Sequence, residues 1–138
     1  LNLKSISYKN FIPGILWFIL VLFLICLPKQ EMPEIKPVWW FSVIRLDKIV
    51  HAAMFGMLNY LFIFPIFKSE MVESTKVNYF IWISLAASIW GLLTEFIQLV
   101  VPGRSFELWD WFADSIGVLI ALVYVYWKFN QSRKNQHP

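Results

Sequence analysis

"LLTEFIQLVVPGRSFELWDWFAD", residues Leu92 to Asp114, decides how this chain is read. The first half is an apolar, helix-like run that nevertheless holds Glu95 and Gln98. Pro102-Gly103-Arg104 interrupts it, and the second half carries Glu107, Asp110 and Asp114. Pro disfavours further helix, and Gly takes the positive φ that a reversal often needs. The stretch is therefore a tight hairpin of two helices with its charged residues gathered near the bend.

Outside the hairpin the chain is just as apolar. Of 138 residues 59% are hydrophobic and only 15% charged, against roughly 25% charged in soluble domains. The mean hydropathy is +0.60. Four continuous hydrophobic runs stand out, at 9–27, 47–67, 77–100 and 107–129. Each approaches the roughly twenty residues that a helix needs to cross a bilayer core. None alternates with a period of two, which excludes a membrane barrel. The expectation is one all-α domain, an integral membrane bundle of four transmembrane helices, with no internal repeat. The first run follows basic residues as a signal peptide does. However, Ile25-Cys26-Leu27-Pro28 is not a small-residue cleavage site, so a retained helix is expected. The single cysteine, Cys26, has no partner for an internal disulfide and reads as a small hydrophobe.

The net charge of +3 comes from lysines and arginines thickest near the ends of the chain, including Lys4, Lys9, Lys128, Arg133 and Lys134. In an apolar chain this signals topology and contact with anionic lipid, and no nucleic-acid-binding motif interrupts the runs. With the N-terminus cytoplasmic, Lys4, Lys9, Lys68, Lys76, Lys128, Arg133 and Lys134 lie inside. Lys29, Lys36, Arg45, Lys48 and Arg104 then lie outside. The balance favours both termini inside. The long connection from Pro28 to Leu46 holds the pair Trp39-Trp40 and should lie along the headgroups. Small residues four apart predict close helix approach: Ala52 and Gly56, Ala87 and Gly91, and Ala113, Gly117 and Ala121.

The polar residues converge. Asp47 and His51 are four apart at the start of the second run. Glu95 and Gln98 are three apart near the end of the third, and Asp110 and Asp114 four apart at the start of the fourth. Each pair shares a helix face. The second and fourth helices start where the third ends, so all six residues and Arg104 belong to one side of the membrane. By helix rise His51 lies roughly 6 Å, Glu95 about 7 Å and Asp114 about 12 Å from its helix end. These depths describe a shallow polar pocket. Simpler roles exist for several members. Asp47 suits an N-cap, Gln98 an interhelical hydrogen bond, and Arg104 a headgroup contact. Glu107 and Asp110 sit where carboxylates suit the helix dipole, which suffices for Glu107, so it is left out of the site. Ionisable groups within a membrane segment, such as His51, Glu95 and Asp114, usually face inward with a partner. A proton, Arg104, His51 or a metal should separate the Glu95 and Asp114 carboxylates.

"DKIVHAAMFGML" together with the opening hairpin resembles the VanZ-like family of small bacterial membrane proteins. Asp47-Lys48 with His51, Glu95 with Gln98, Pro102-Gly103-Arg104, and Asp110 with Asp114 carry the resemblance. It covers the second to fourth helices, whereas the first helix and the Trp39-Trp40 loop match only in character. Trp109 and Trp111 flank Asp110 where many relatives carry smaller apolar residues. The resemblance implies a multi-pass protein of the bacterial cytoplasmic (inner) membrane. The family's founding member is linked to resistance against the glycopeptide teicoplanin, and most relatives occur outside resistance clusters, which favours a housekeeping role in the cell envelope. Some members carry a phosphotransbutyrylase label, but no soluble acyl-phosphate enzyme architecture is visible in this chain.

Two functions are expected. In one, the pocket binds or processes a lipid-linked, anionic or glycan-bearing envelope molecule. His51, Glu95, Asp114 and Asp47 are then the catalytic candidates, and Arg104, Gln98 and Asp110 bind substrate. Arg104 offers a planar fork to phosphate or carboxylate, and His51 serves as general acid or base, oriented by Asp47 or Asp114. A divalent metal on Asp47, His51, Glu95 and Asp114 is compatible, but no metal motif supports it. In the other, the cluster is structural and the chain is a membrane scaffold for lipid or for another membrane protein. A transporter fits less well, since the cluster lies on one side and not at mid-membrane.

Overall fold

The computed structural model describes residues 6–28 and 46–136. The Trp39-Trp40 loop and the basic residues Lys4, Lys29, Lys36 and Arg45, on which part of the topology expectation rests, lie outside the described residues. A short 3-10 turn, Tyr8–Phe11, leads into α1 (Ile12–Cys26), followed by α2 (Leu46–Lys68), α3 (Glu73–Gln98) and α4 (Leu108–Gln136). Among the described residues, four segments are long and apolar enough to cross a membrane, and the fold is the expected all-helical membrane bundle. Apolar side chains point outward, as in Leu16, Trp82 and Ile120, which in lipid carries no penalty.

The helix limits shift for local reasons. α3 begins at Glu73, four residues earlier than expected, with a carboxylate at the positive end of its dipole. It ends at Gln98, because the turn that follows is tight. Arg104 N–H bonds to the Val101 carbonyl at 3.1 Å, and Gly103 takes φ 76°. Pro102 and Gly103 thus occupy the middle of a type II turn, where the third residue needs positive φ. α4 runs seven residues past the expected end, to Gln136. Its polar end is held by Arg133 Nε, 2.8 Å from Glu73 Oε2. α2 continues through Pro65, which leaves the Leu61 carbonyl without its helical donor one turn before the end.

Residue offsets fix the packing. Lys48 with Asp110, His51 with Asp114, and Asn59 with Val118 differ by 62, 63 and 59 positions, so α2 and α4 run parallel. α3 lies antiparallel to both, with Asn59 to Ser84 on one side and Ser88 to Ser115 on the other. α1 packs against α2 through the Trp17 indole, which donates to the Met54 carbonyl at 2.9 Å. The tightest seam joins α2 and α4. A Cβ placed on Gly117 would meet the Ala52 carbonyl oxygen at 1.9 Å, and one on Gly56 would meet the Gly117 carbonyl oxygen at 3.0 Å. The small-residue spacing of the sequence therefore marks a backbone-to-backbone contact. Apolar residues fill the bundle on either side of mid-depth: Val21, Phe55, Leu58, Ala87 and Val118, then Ile63, Ile66, Phe80, Val125 and Phe129.

Candidate functional site

The parallel seam of α2 and α4 and the bend after α3 bring one end of three helices together. Lys48 leaves the first turn of α2 and places its Nζ among three carboxylates. It lies 3.1 Å from Asp47 and 2.9 Å from Glu107, and it pairs with Asp110. One turn further in, His51 Nδ1 lies 3.0 Å from Asp114 Oδ1, and His51 Nε2 lies 3.7 Å from Asp110 Oδ2. Glu95 reaches across from α3 and accepts the Glu107 backbone N–H on Oε2 at 2.8 Å. That bond satisfies an amide next to the first turn of α4, which the helix itself leaves without a partner.

The cluster is graded in depth. The side chains of Asp47 and Glu107 are 53% and 44% exposed. Those of Lys48, His51 and Asp110 fall between 10% and 17%, and Glu95 and Asp114 are fully buried. His51, Glu95 and Asp114 each offer a ligand atom, all within 4.8 Å of one another. Asp47, Glu107 and Asp110 form a second such group above them. Among the described residues, the buried oxygens Glu95 Oε1 and Asp114 Oδ2 have no hydrogen-bond partner, and neither has the Trp90 indole N–H, whose ring packs on Phe18.

The α3 backbone is shaped around Asp114. A Cβ on Gly91 would sit 3.0 Å from Asp114 Oδ2 and 3.1 Å from its Cβ. In the sequence Gly91 reads as a helix-contact residue. In the fold it makes room for a carboxylate. Beside it, the Trp111 indole donates to the Ser88 carbonyl at 3.0 Å, and the Ser88 and Ser115 hydroxyls meet at 2.8 Å. These bonds fix the rotation of α4 that turns Asp114 inward.

Of the residues proposed from sequence, the fold brings together Asp47, His51, Glu95, Asp110 and Asp114. Gln98 is buried one turn beyond Glu95. His51 pairs with Asp114, one of the two carboxylates expected to orient it, while Arg104 Nε donates to the Leu27 carbonyl at 3.4 Å, beyond the end of α1. Two points differ from expectation. Glu107, set aside as a dipole residue, joins the cluster through both its side chain and its backbone amide. Lys48 counts in the sequence toward topology and the resemblance but not toward the site, yet it is the ammonium at the centre of the outer carboxylates. One signal was available. A lysine in the first turn of a helix opposes the helix dipole, so its position calls for a local partner.

Beside Lys48, Trp109, Phe112, Ala113 and Ile116 line a groove of about 490 Å³ along the outer face of α4. It opens beside the cluster and is otherwise apolar.

A family model described as VanZ/LLP1 matches residues 7–129. No curated protein and no solved structure matches the chain.

Proposed function

Since the chain belongs to the VanZ/LLP1 family, we propose that its acidic end receives the polar head of a lipid-linked envelope molecule and carries out acid–base work on it. The observation that carries this reading is the groove beside Lys48. Its apolar wall suits an acyl or isoprenoid chain, while its polar end is Lys48, whose partner Asp110 lies 3.7 Å from His51. In that pair the carboxylate orients the ring, and the ring moves a proton to or from the substrate head. Lys48, and Arg104 from the turn, offer donors to a phosphate or carboxylate.

The protein acts in the bacterial cytoplasmic membrane with both termini inside, so the site faces outward. Charge supports this orientation. Among the described residues, Lys9, Lys68, Lys76, Lys128, Arg133 and Lys134 lie at the end opposite the cluster, and only Lys48 and Arg104 lie at the cluster end.

Photolabelling tests the lipid. Protein in nanodiscs is irradiated with a photoreactive polyprenyl phosphate. Label concentrated at Trp109, Phe112 and Ile116, displaced by unlabelled polyprenyl phosphate and lost in Ile116→Trp, is expected. Label spread evenly over outward residues such as Trp82 and Ile89 on α3 would sink the proposal.

A second reading, a non-catalytic scaffold, is favoured by one observation. The Lys48 and Glu95 contacts tie α2, α3 and α4 together. The two separate in Glu95→Gln and His51→Asn. An active site loses the cellular phenotype, read as teicoplanin susceptibility, at unchanged protein abundance. A scaffold loses both together.

A further inference from the structure

From these two acid groups we infer that His51, Glu95 and Asp114 form a binding site for one divalent transition-metal cation, zinc or manganese by the chemistry of the donors. The inference deepens the proposed function and rests on it only for what the ion would do.

The outer group of carboxylates already has its cation. Lys48 Nζ lies among Asp47, Glu107 and Asp110. The inner group differs. Among the described residues, the one group of opposite sign within ion-pair distance of its carboxylates is the His51 ring. Glu95 and Asp114 are both fully buried, and each keeps one oxygen without a hydrogen-bond partner. Buried polar atoms are nearly always paired, so two bare carboxylate oxygens on neighbouring residues need an explanation. Hydrogen bonds inside the cluster do not supply it. Glu95 Oε2 takes the Glu107 amide and Asp114 Oδ1 faces His51, which leaves the other two oxygens as they are.

The dimensions suit an ion. Three atoms within 4.8 Å of one another have a common point no more than about 2.8 Å from each, and zinc–oxygen and zinc–nitrogen bonds are about 2.0–2.2 Å. The necessary closure is a fraction of an ångström per ligand, well within side-chain movement. His51 Nδ1 and Asp114 Oδ1, 3.0 Å apart, already have roughly the spacing of two donors on one ion. The far nitrogen of His51, 3.7 Å from Asp110 Oδ2, has a carboxylate of the kind that orients metal-bound imidazoles. One imidazole with two carboxylates suits zinc or manganese better than the all-oxygen shells of calcium and magnesium. Three protein ligands leave a position for substrate. The ion also resolves a conflict of charge. Five carboxylates surround Lys48 and His51, so an anionic head would meet a net negative site, and a bound cation gives it a positive seat.

The test uses tag-free, full-length protein in detergent, stripped with chelator and dialysed against zinc, manganese or cobalt. Metal content is measured by mass spectrometry and cobalt geometry by visible absorption. Expected is one equivalent per chain, ligand-field bands of a low-coordinate cobalt site, and at least a tenfold weaker Kd in Glu95→Gln and Asp114→Asn. Glu73→Gln, in the ion pair at the opposite end of the bundle, should bind as the parent does. Size-exclusion profiles identify variants that fail to fold, and the cobalt spectrum of the parent decides the matter if both do. Absence of binding by the parent, or stoichiometric binding that both inner variants retain, overturns the site. Zinc bound without lipid labelling defeats only the proposed substrate, and labelling without zinc defeats only the metal.

Discussion

Two polar regions sit inside this bundle, and they are built differently. At mid-depth, Asn59 gives one side-chain hydrogen to the Ser84 hydroxyl and the other to the Val118 carbonyl, each at 2.9 Å, and takes a bond back from Ser84 at 3.3 Å. Every strong group of that network has a partner, and none is charged. At the end of the bundle, Glu95 and Asp114 are as deeply enclosed but ionisable, His51 beside them is nearly so, and two oxygens lack partners among the described residues. A closed neutral network is what packing in lipid asks for. An open charged one works against stability and is retained for something else. The contrast teaches that burial of polar groups does not by itself separate glue from a working site. Unmet valence on two neighbouring carboxylates does.

The largest effect should come from breaking the seam on which both regions depend. Gly117→Leu puts a branched side chain where even a Cβ meets the Ala52 carbonyl at 1.9 Å. Loss of the folded monomer is expected, by more than about 3 kcal/mol, seen as aggregation in size exclusion. A well-folded variant would mean that α2 and α4 are not so closely apposed. Lys48→Met should come next, destabilising by about 2 kcal/mol in denaturant titration, because it leaves Asp110 enclosed without its ammonium. Asn59→Leu should cost about 1 kcal/mol and leave metal binding untouched. Altered binding there would join the two regions into one. Glu95→Gln sharpens the contrast most. It removes a buried charge while keeping the shape, so stability should stay level or rise, by up to about 1 kcal/mol. A fall larger than that of Asn59→Leu would make Glu95 glue as well. Smallest is Arg133→Gln, which breaks a half-exposed pair with Glu73 and should shift stability by no more than about 0.5 kcal/mol.

The fold was legible because four unbroken apolar runs admit one solution in lipid, and because Pro102-Gly103 closes the hairpin in a turn that those two residues favour. The membership of the site was largely legible too, since spacings of three and four assign residues to a helix face. Rotation of one helix against another was not. It depends on offsets between α2 and α4 of about sixty residues, on the Trp111–Ser88 bond, and on Gly91 giving way to Asp114. Hence Lys48 went unrecognised as the centre of the outer group. Glu107 was missed for another reason. Part of its contribution is a backbone amide, which every residue carries, so no side-chain pattern marks it.

The parallel pairing of α2 with α4 also has a consequence for how the protein is made. Lys48 and Asp110 are 62 residues apart, and at ribosomal rates the second follows the first by about 3 to 12 s. Throughout that interval Lys48 is without Asp110, its partner on α4. Asp47, adjacent in sequence and 3.1 Å away, is available from the start, and the lysine stem is long enough to hold its charge at the water boundary. The neighbouring carboxylate is thus a partner on hand during biogenesis, until the last helix supplies Glu107 and Asp110.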